Sequence, residues 1–229
     1  RATGEALKFV EYAIYTIPYM LAQQLRIPLV FFGEDSAFEY GSSAKESLYA
    51  NEVIEQMDRD LEGQKEFWAH GGISAEEVDS IRLLPKSEFK PKVIYMSYFF
   101  PWSSSSNLEV AGKLGFRDLR GEWIRRGTAE DSEQMDSKGY MVHLALKYPK
   151  FGFARVCDIV SRRVREGLLP REQALTYVLE EADQFDPLAL KDCCDTCGYK
   201  VSEFWKIVRD APWNKGYYDA ETAYRTALS

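Results

Sequence analysis

Apolar residues near the start of the chain follow two different spacings. From residue 5 to 25 they lie three or four positions apart, which predicts a helix buried along one face. Pro18 falls inside this pattern, so we expect the helix to kink or restart there. The continuous apolar run 27–32 predicts a strand buried on both faces, and it is followed closely by Glu34 and Asp35.

The middle of the chain predicts one more strand among helices. Periodic apolar positions predict helices over 44–68, 74–84 and 107–114. Ser74 and Glu77 have the spacing of a capping box at the start of the second of these. The apolar run 93–100 predicts a second buried strand, closed by Trp102 and a serine-rich loop over 103–106.

The back of the chain is loop-like at first and then helical. Residues 116–149 have weak periodicity, which predicts an extended loop with a short helix near 138–147. Further helices are predicted to end at Gly167, to start around Pro170 and to span 202–210. We therefore expect an α/β chain with two parts: the remainder of a nucleotide-binding domain at 1–149, and a helical C-terminal region at 150–229.

Composition and charge exclude some classes of function. Of the 229 residues 45% are hydrophobic and 28% charged, as is ordinary for a globular protein. The net charge of −7 argues against a nucleic-acid coat, because neutralising phosphates needs a basic face. Since no apolar run is long enough for a membrane span and no signal peptide is visible, we expect a cytoplasmic protein.

The four cysteines leave two interpretations open. Cys193, Cys194 and Cys197 lie close together, whereas Cys157 is far away in sequence. A structural zinc site needs four ligands, so the spacing favours reduced, partly buried thiols over a metal site. The Cys194–Cys197 pair nevertheless has a spacing that is compatible with redox or metal chemistry.

The segment 150–174 carries the most concentrated candidate chemistry. It contains five arginines, and guanidinium groups form forked bonds to phosphate and carboxylate. Lys150 and Arg155 flank a Phe-Gly-Phe turn, and Asp158 follows Arg155 by one helical turn, from where its carboxylate can orient the guanidinium. The other arginines of the same helix, at 162, 163 and 165, are expected on a solvated face.

The ends of the two predicted strands are the second candidate location. In an open parallel sheet, ligands bind at the carboxyl ends of the strands, where Glu34 and Asp35 lie. These carboxylates suit Mg²⁺ or the hydroxyls of a nucleotide, although an acidic turn is equally typical of a helix cap. Trp102, after the second strand, can stack on a base or sugar or serve as a core-rim residue.

Three groups of residues resemble a known family. They are Ile27-Pro28-Leu29-Val30 leading to Gly33-Glu34 and Glu39-Tyr40-Gly41; Ile94-Tyr95-Met96-Ser97-Tyr98 ending in Pro101-Trp102; and Lys150-Phe151-Gly152, Arg155, Asp158, Ser161, Arg165, Gly167, Arg171-Glu172 and Ala174. On these residues the chain resembles the N-acetyl sugar amidotransferases of lipopolysaccharide and flagellar-glycan biosynthesis, a branch of the PP-loop ATP pyrophosphatases. The likeness spans roughly 7–210. Ala154 departs from it, standing where the family has glycine, and the cysteine cluster has no counterpart.

The resemblance implies a fold and a reaction. The fold would be the back part of a doubly wound parallel sheet with a helical C-terminal region. In the reaction, ATP adenylates the acetamido oxygen and ammonia then displaces AMP to give an acetamidino group, with ATP and Mg²⁺ as cofactors. The family's Ser-Gly-Gly-x-Asp-Ser phosphate loop and its cysteine-rich segment would lie upstream of Arg1. We therefore do not expect 1–229 alone to catalyse the reaction.

The resemblance also implies roles and partners. Catalytic roles fall to Glu34, Lys150 and Arg155. Substrate-binding roles fall to Asp35, Tyr98, Trp102, Phe151, Gly152, Asp158, Arg165 and Arg171. A nucleotide sugar is the expected substrate and a separate glutaminase the ammonia source. A homo-oligomer is compatible with this assignment, and neither a membrane nor a nucleic acid is expected as a partner.

Two other classes stay open. One is a PP-loop sulfur transferase that modifies tRNA through its cysteines. The other is a non-catalytic interaction module that has lost the phosphate loop. A Ser-Gly-Gly-x-Asp-Ser sequence encoded upstream would favour the enzyme.

Overall fold

Two strands and eleven α-helices are the main regular elements of the computed structural model, which describes residues 4–5, 7–34, 48–85 and 87–216. These residues divide into two units. The strand unit comprises 7–34, 48–85 and 87–102, and the helical unit comprises 4–5 and 103–216. None of the helices in these ranges is long and apolar enough to cross a bilayer.

The strand unit alternates helices with two short strands. Its elements are α1 (Lys8–Leu25), β1 (Leu29–Phe32), α2 (Asn51–Gly63), α3 (Lys65–His70), α4 (Ala75–Ser80), β2 (Lys92–Tyr95) and a 3₁₀ turn (Met96–Tyr98). β1 and β2 are parallel, with Leu29 opposite Lys92 and Phe32 opposite Tyr95. Their carboxyl ends therefore lie at the same edge of the sheet.

Of the two alternatives predicted for the first helix at Pro18, a kink and a restart, the restart is excluded, and the first strand differs from its prediction. α1 continues through Pro18 without restarting and ends at Leu25, and the next residue, Arg26, turns the chain with a left-handed backbone (φ 55°). β1 is buried on one face only, because Leu29 and Phe31 are 40% and 53% exposed while Phe32 is in the core. Side chains alternate along a strand, and no described element of this unit covers the second face.

The other elements of this unit are shorter than predicted. The helix predicted over 44–68 is two helices that meet at Gln64, and its residues 44–47 lie outside the described ranges. The capping box is confirmed: the Glu77 N–H donates to Ser74 Oγ at 3.2 Å and the Ser74 N–H donates to Glu77 Oε2 at 2.7 Å. The strand predicted over 93–100 ends at Tyr95 and passes into the 3₁₀ turn.

The helical unit contains the remaining seven helices of the described chain. They are α5 (Ser104–Lys113), α6 (Lys138–Ala145), α7 (Lys147–Phe151), α8 (Arg155–Arg165), α9 (Arg171–Glu181), α10 (Pro187–Cys197) and α11 (Val201–Asp210). The serine run begins α5 rather than forming a loop, because Ser103 Oγ accepts the Ser106 N–H at 3.3 Å. α10, which was not predicted, packs against α6 around a core that includes Met141, Leu190 and Trp205.

These elements bear on the predicted architecture in two ways. The predicted boundary at 149/150 lies within α7 and within the helical unit, and the division into 1–149 and 150–229 stays a prediction. The sheet among the described residues has two strands. The doubly wound sheet therefore stays a prediction.

Candidate functional site

The carboxyl ends of β1 and β2 hold three of the predicted site residues. Glu34 follows β1, whereas Tyr98 and Trp102 follow β2. The Trp102 indole N–H donates to the carbonyl of Gly33 at 3.0 Å, and Ser97 Oγ donates to the Glu34 carbonyl at 3.4 Å. The chain after β2 is thus fastened to the chain after β1. Asp35, like the 39–41 motif, lies outside the described residues.

The side chains at this edge suit a polar ligand. Glu34 Oε2 is buried and accepts no hydrogen bond from any described residue, a costly state for a carboxylate oxygen. Tyr98 is exposed, and its ring lies edge-on to Phe99 with centroids 6.0 Å apart. Mg²⁺ binds in proteins through one or two carboxylates together with substrate phosphates, so Glu34 fits that ion.

A buried cluster of charges centres on Glu133, in the loop before α6. Arg155 Nη2 lies 2.5 Å from Glu133 Oε2, and Arg162 Nη2 pairs with Glu133 Oε1. Both guanidiniums are almost fully buried, whereas the Glu133 side chain is 24% exposed. Arg155 and Arg162 are two turns apart, on the same face of α8. This geometry gives Arg155 a structural ion pair, so in this conformation its guanidinium is occupied by Glu133.

Asp158 lies close to Arg155, as the sequence analysis expected, but its nearest partner is another residue. Lys147 Nζ is 2.5 Å from Asp158 Oδ2, whereas Arg155 Nη1 is 3.7 Å away. Asp158 therefore bridges α7 and α8, and its influence on Arg155 is shared with Lys147.

The loop that carries Glu133 is held by charged groups. Arg125, whose side chain is fully buried, donates through Nη1 to the Glu133 carbonyl at 2.6 Å and lies 3.4 Å from Glu130 Oε1. The Glu130 carboxylate accepts the Ser132 and Glu133 N–H groups, each at 2.6 Å. The side chain of Glu130 thus neutralises the arginine and orders the turn before Glu133.

Residues of α8, of α9 and of the N-cap of α10 also form hydrogen bonds with the first half of this loop. Arg163 donates to the Ala129 carbonyl at 3.0 Å, the Gly127 N–H donates to Glu181 at 2.6 Å and the Arg126 N–H donates to Asp186 at 3.1 Å. Gly127 has φ +81°, and a Cβ there would approach the Gln184 carbonyl to 2.7 Å. A larger residue at 127 would therefore push the loop off the helices.

The Lys-Phe-Gly motif forms the end of α7. Gly152 adopts a left-handed conformation (φ 77°) that terminates the helix. Lys150 is buried with its Nζ 5.6 Å from the centre of the Trp213 ring. Phe151 and Phe153 are exposed and stacked, with centroids 5.8 Å apart. Lys150 thus lies in packed structure, while the two phenylalanines present an aromatic surface.

The arginines of α8 and α9 separate into buried and exposed groups. Arg165 and Arg171 are exposed, where a ligand could reach them. The prediction of a solvated face is wrong for Arg162, which is 2% exposed, because Glu133 neutralises it there. Sequence reasoning also missed Glu133 and Arg125, since loop residues give no periodic signal and Glu133 precedes Arg155 by 22 positions.

Two cysteines of α10, Cys193 and Cys194, are poor nucleophiles. Burial and the neighbouring Cys197 and Cys194 raise the pKa of the Cys193 thiol to about 11. Burial and the nearby Cys197 likewise raise the pKa of Cys194. Thiolates are the reactive and metal-binding form, so these two thiols are held in the inactive form. Within the described ranges, no group of three or more His, Cys, Asp or Glu side chains is placed to hold a metal ion.

Comparison with protein families links the helical part of the chain to cell-surface polysaccharide synthesis. Residues 131–228 match the family model described as LPS biosynthesis protein WbpG-like, C-terminal domain. The matched segment includes Glu133, α8 and the helices that follow. No curated protein matches the chain. The match supports the resemblance at the level of lipopolysaccharide biosynthesis.

Proposed function

We propose that the protein is an ATP-dependent amidotransferase of lipopolysaccharide biosynthesis, which converts the acetamido group of a nucleotide-linked sugar into an acetamidino group. The observation that carries this proposal is the match of residues 131–228 to the LPS biosynthesis family. The residues at the carboxyl ends of β1 and β2 support it, because that edge is where parallel sheets bind nucleotides.

The reaction replaces oxygen by nitrogen in two steps. The amide oxygen attacks the α-phosphorus of ATP and pyrophosphate leaves. Ammonia then adds to the activated carbon, and AMP departs with the former amide oxygen. An amide oxygen leaves poorly without this activation, and the protein's contribution is positioning and charge stabilisation.

The described residues suggest how the chain would contribute. Glu34 would hold Mg²⁺, which neutralises phosphate charge when bound, and Tyr98 and Trp102 would offer aromatic faces to a base or sugar. Arg155 suits the anionic part of the nucleotide sugar, but its guanidinium is engaged by Glu133. Ligand binding by Arg155 therefore requires Glu133 to move.

The test is mass spectrometry of the complete gene product with ATP, ammonium enriched in the heavy nitrogen isotope, and N-acetylated nucleotide sugars. We expect one sugar to gain the labelled nitrogen in place of oxygen, with AMP and pyrophosphate released in equal amounts. Glu34→Gln should reduce this activity by about tenfold to a hundredfold, because it removes one charged ligand. Glu88→Gln, an exposed position of the strand unit, should leave it unchanged.

Two results would count against the proposal. One is the absence of labelled nitrogen from every sugar tested while the protein still binds ATP. The other is an equal loss of activity in Glu34→Gln and Glu88→Gln. The sulfur-transferase alternative is disfavoured by the raised pKa of Cys193 and Cys194. A protein that binds no ATP would favour the non-catalytic module.

A further inference from the structure

Glu133 occupies the position that an anionic ligand would take between two arginines. Its two carboxylate oxygens are each paired with a different guanidinium, Arg155 and Arg162. Paired guanidiniums on one helix face form the arrangement by which proteins bind phosphate and carboxylate groups. The carboxylate comes from a loop and is partly exposed, so it can leave without disturbing α8.

The charges around this position favour a further anion. Arg125, Arg155 and Arg162 face the carboxylates of Glu130 and Glu133, while Lys147 and Asp158 pair with each other. Three buried guanidiniums therefore lie around the two carboxylates of this loop.

Arg125 also has unused donors. Its Nε and Nη2 are buried and donate to no acceptor in the described part of the chain. Buried N–H groups of a cation are costly when they lack acceptors. Arg125 Nη1 donates to the Glu133 carbonyl, so the Arg125 guanidinium lies beside the residue that pairs with Arg155 and Arg162.

The loop around Glu133 is strained. Ala129 and Gln134 have φ of +56° and +55°, a backbone conformation that residues other than glycine rarely adopt. Such conformations persist only when surrounding contacts enforce them, and here the contacts are the ion pairs and hydrogen bonds to α8, α9 and α10. Loss of the Glu133 pairing would relieve part of this strain.

We propose that Arg125, Arg155 and Arg162 form a binding site for a phosphoryl group, which the Glu133 carboxylate fills until the ligand displaces it. The segment 126–134, here called the strap, then lifts from α8. A phosphoryl group fits better than a carboxylate, because its additional oxygens can accept the unused Arg125 donors as well as the arginine pair. In the proposed function, on which only the identity of the natural ligand rests, this group belongs to the diphosphate of the nucleotide sugar.

The first test is calorimetric titration with inorganic pyrophosphate. Glu133→Gln removes the competing charge at nearly constant size, so its dissociation constant for pyrophosphate should be about tenfold to a hundredfold lower than that of the unaltered protein. Glu122→Gln makes the same charge change at an exposed position before the strap and should leave the affinity unchanged. Equal affinities in all three proteins, with both variants folded by circular dichroism, would overturn the proposal.

The second test needs no variant and decides the matter if Glu133→Gln does not fold. Hydrogen exchange of the unaltered protein is followed with and without saturating pyrophosphate. Amides of the strap should exchange faster with pyrophosphate, while those of α8 should not. Strap exchange that stays the same or slows would contradict the displacement of Glu133. Acetate at the same concentration should have no effect, and an equal response to acetate would overturn the preference for phosphoryl groups.

These tests are separate from the enzymatic assay. Pyrophosphate binding that depends on Glu133, together with no amidine product, would leave the anion site standing and remove the proposed function. Amidine formation with no effect of Glu133 on pyrophosphate binding would do the reverse.

Discussion

At the scale of single residues, the arginines of α8 show how burial decides the role of a charge. Arg162 is 2% exposed because its guanidinium pairs with Glu133, whereas Arg165 on the same helix is exposed. Burying a cation is tolerated only when an anion and hydrogen bonds compensate it. The cost of removing either partner should therefore exceed that of removing an exposed arginine.

Removal of Arg162 should destabilise the protein strongly. We expect Arg162→Ala to lower the free energy of unfolding by about 2–4 kcal/mol, somewhat below the range for a fully buried pair because Glu133 can partly rehydrate. Urea denaturation followed by circular dichroism measures this. Arg171→Ala, at an exposed position, is the control and should change stability by less than about 0.5 kcal/mol. A loss for Arg162→Ala no larger than the control would show that the pair contributes little to stability.

At the scale of elements, α10 shows how packing and neighbouring thiols lower the reactivity of a cysteine. Cys194 packs in the core with Leu190 and Trp205, while Cys193 and Cys197 lie one turn apart and are hydrogen-bonded.

Alkylation should reveal that Cys193 reacts more slowly in the folded protein than in the denatured chain. With iodoacetamide at mildly alkaline pH, Cys193 should react far more slowly than in the denatured chain, since a pKa of about 11 leaves on the order of a hundredfold fewer thiolates than an ordinary cysteine has. Peptide mass spectrometry gives the rate at each site. The folded thiol keeps its proton above the pH at which the unfolded one loses it, so the free energy of unfolding should fall as pH rises towards that value. Equal rates in folded and denatured protein would contradict this account.

At the scale of the whole molecule, each unit contains its own apolar cores. In the helical unit, one core joins α6, α10 and α11, and another joins α8 and α9. In the strand unit, one core lies between α1, α2 and the two strands, and another surrounds Trp68. A unit with its own core can in principle fold alone.

The helical unit should fold as a fragment. We expect residues 103–229 to give a helical circular dichroism spectrum and a cooperative thermal transition, because they contain both cores of that unit. The control fragment, residues 150–229, begins at the boundary predicted from the sequence and lacks α6 and the Glu133 loop. It should unfold without a cooperative transition, since α10 and the α8 arginines lose their partners. Cooperative unfolding of 150–229 would favour the sequence-based boundary.

Local patterns in the sequence determined most of the elements. The spacing of apolar residues predicted α1, both strands and several C-terminal helices, because backbone geometry sets that spacing. The Ser74–Glu77 box and the end of α8 near Gly167 were also predicted, since caps depend on residues a few positions apart. The joint position of Glu34 and Trp102 followed from the strands being parallel. Helix α10 was not predicted, because it begins with a proline and its apolar residues follow no regular spacing.

Only the tertiary structure decided which charges meet. The pairing of Glu133 with Arg155 and Arg162 depends on how a loop folds back onto a helix, and no local rule specifies that. The exposure of Phe31 likewise depends on what covers a sheet face rather than on the strand itself. The sequence by itself determined the residue types suited to an anion and a nucleotide. The packing of the loop onto α8 determined that the protein's own carboxylate pairs with Arg155 and Arg162, because a cation is stable in a buried position only beside an anion.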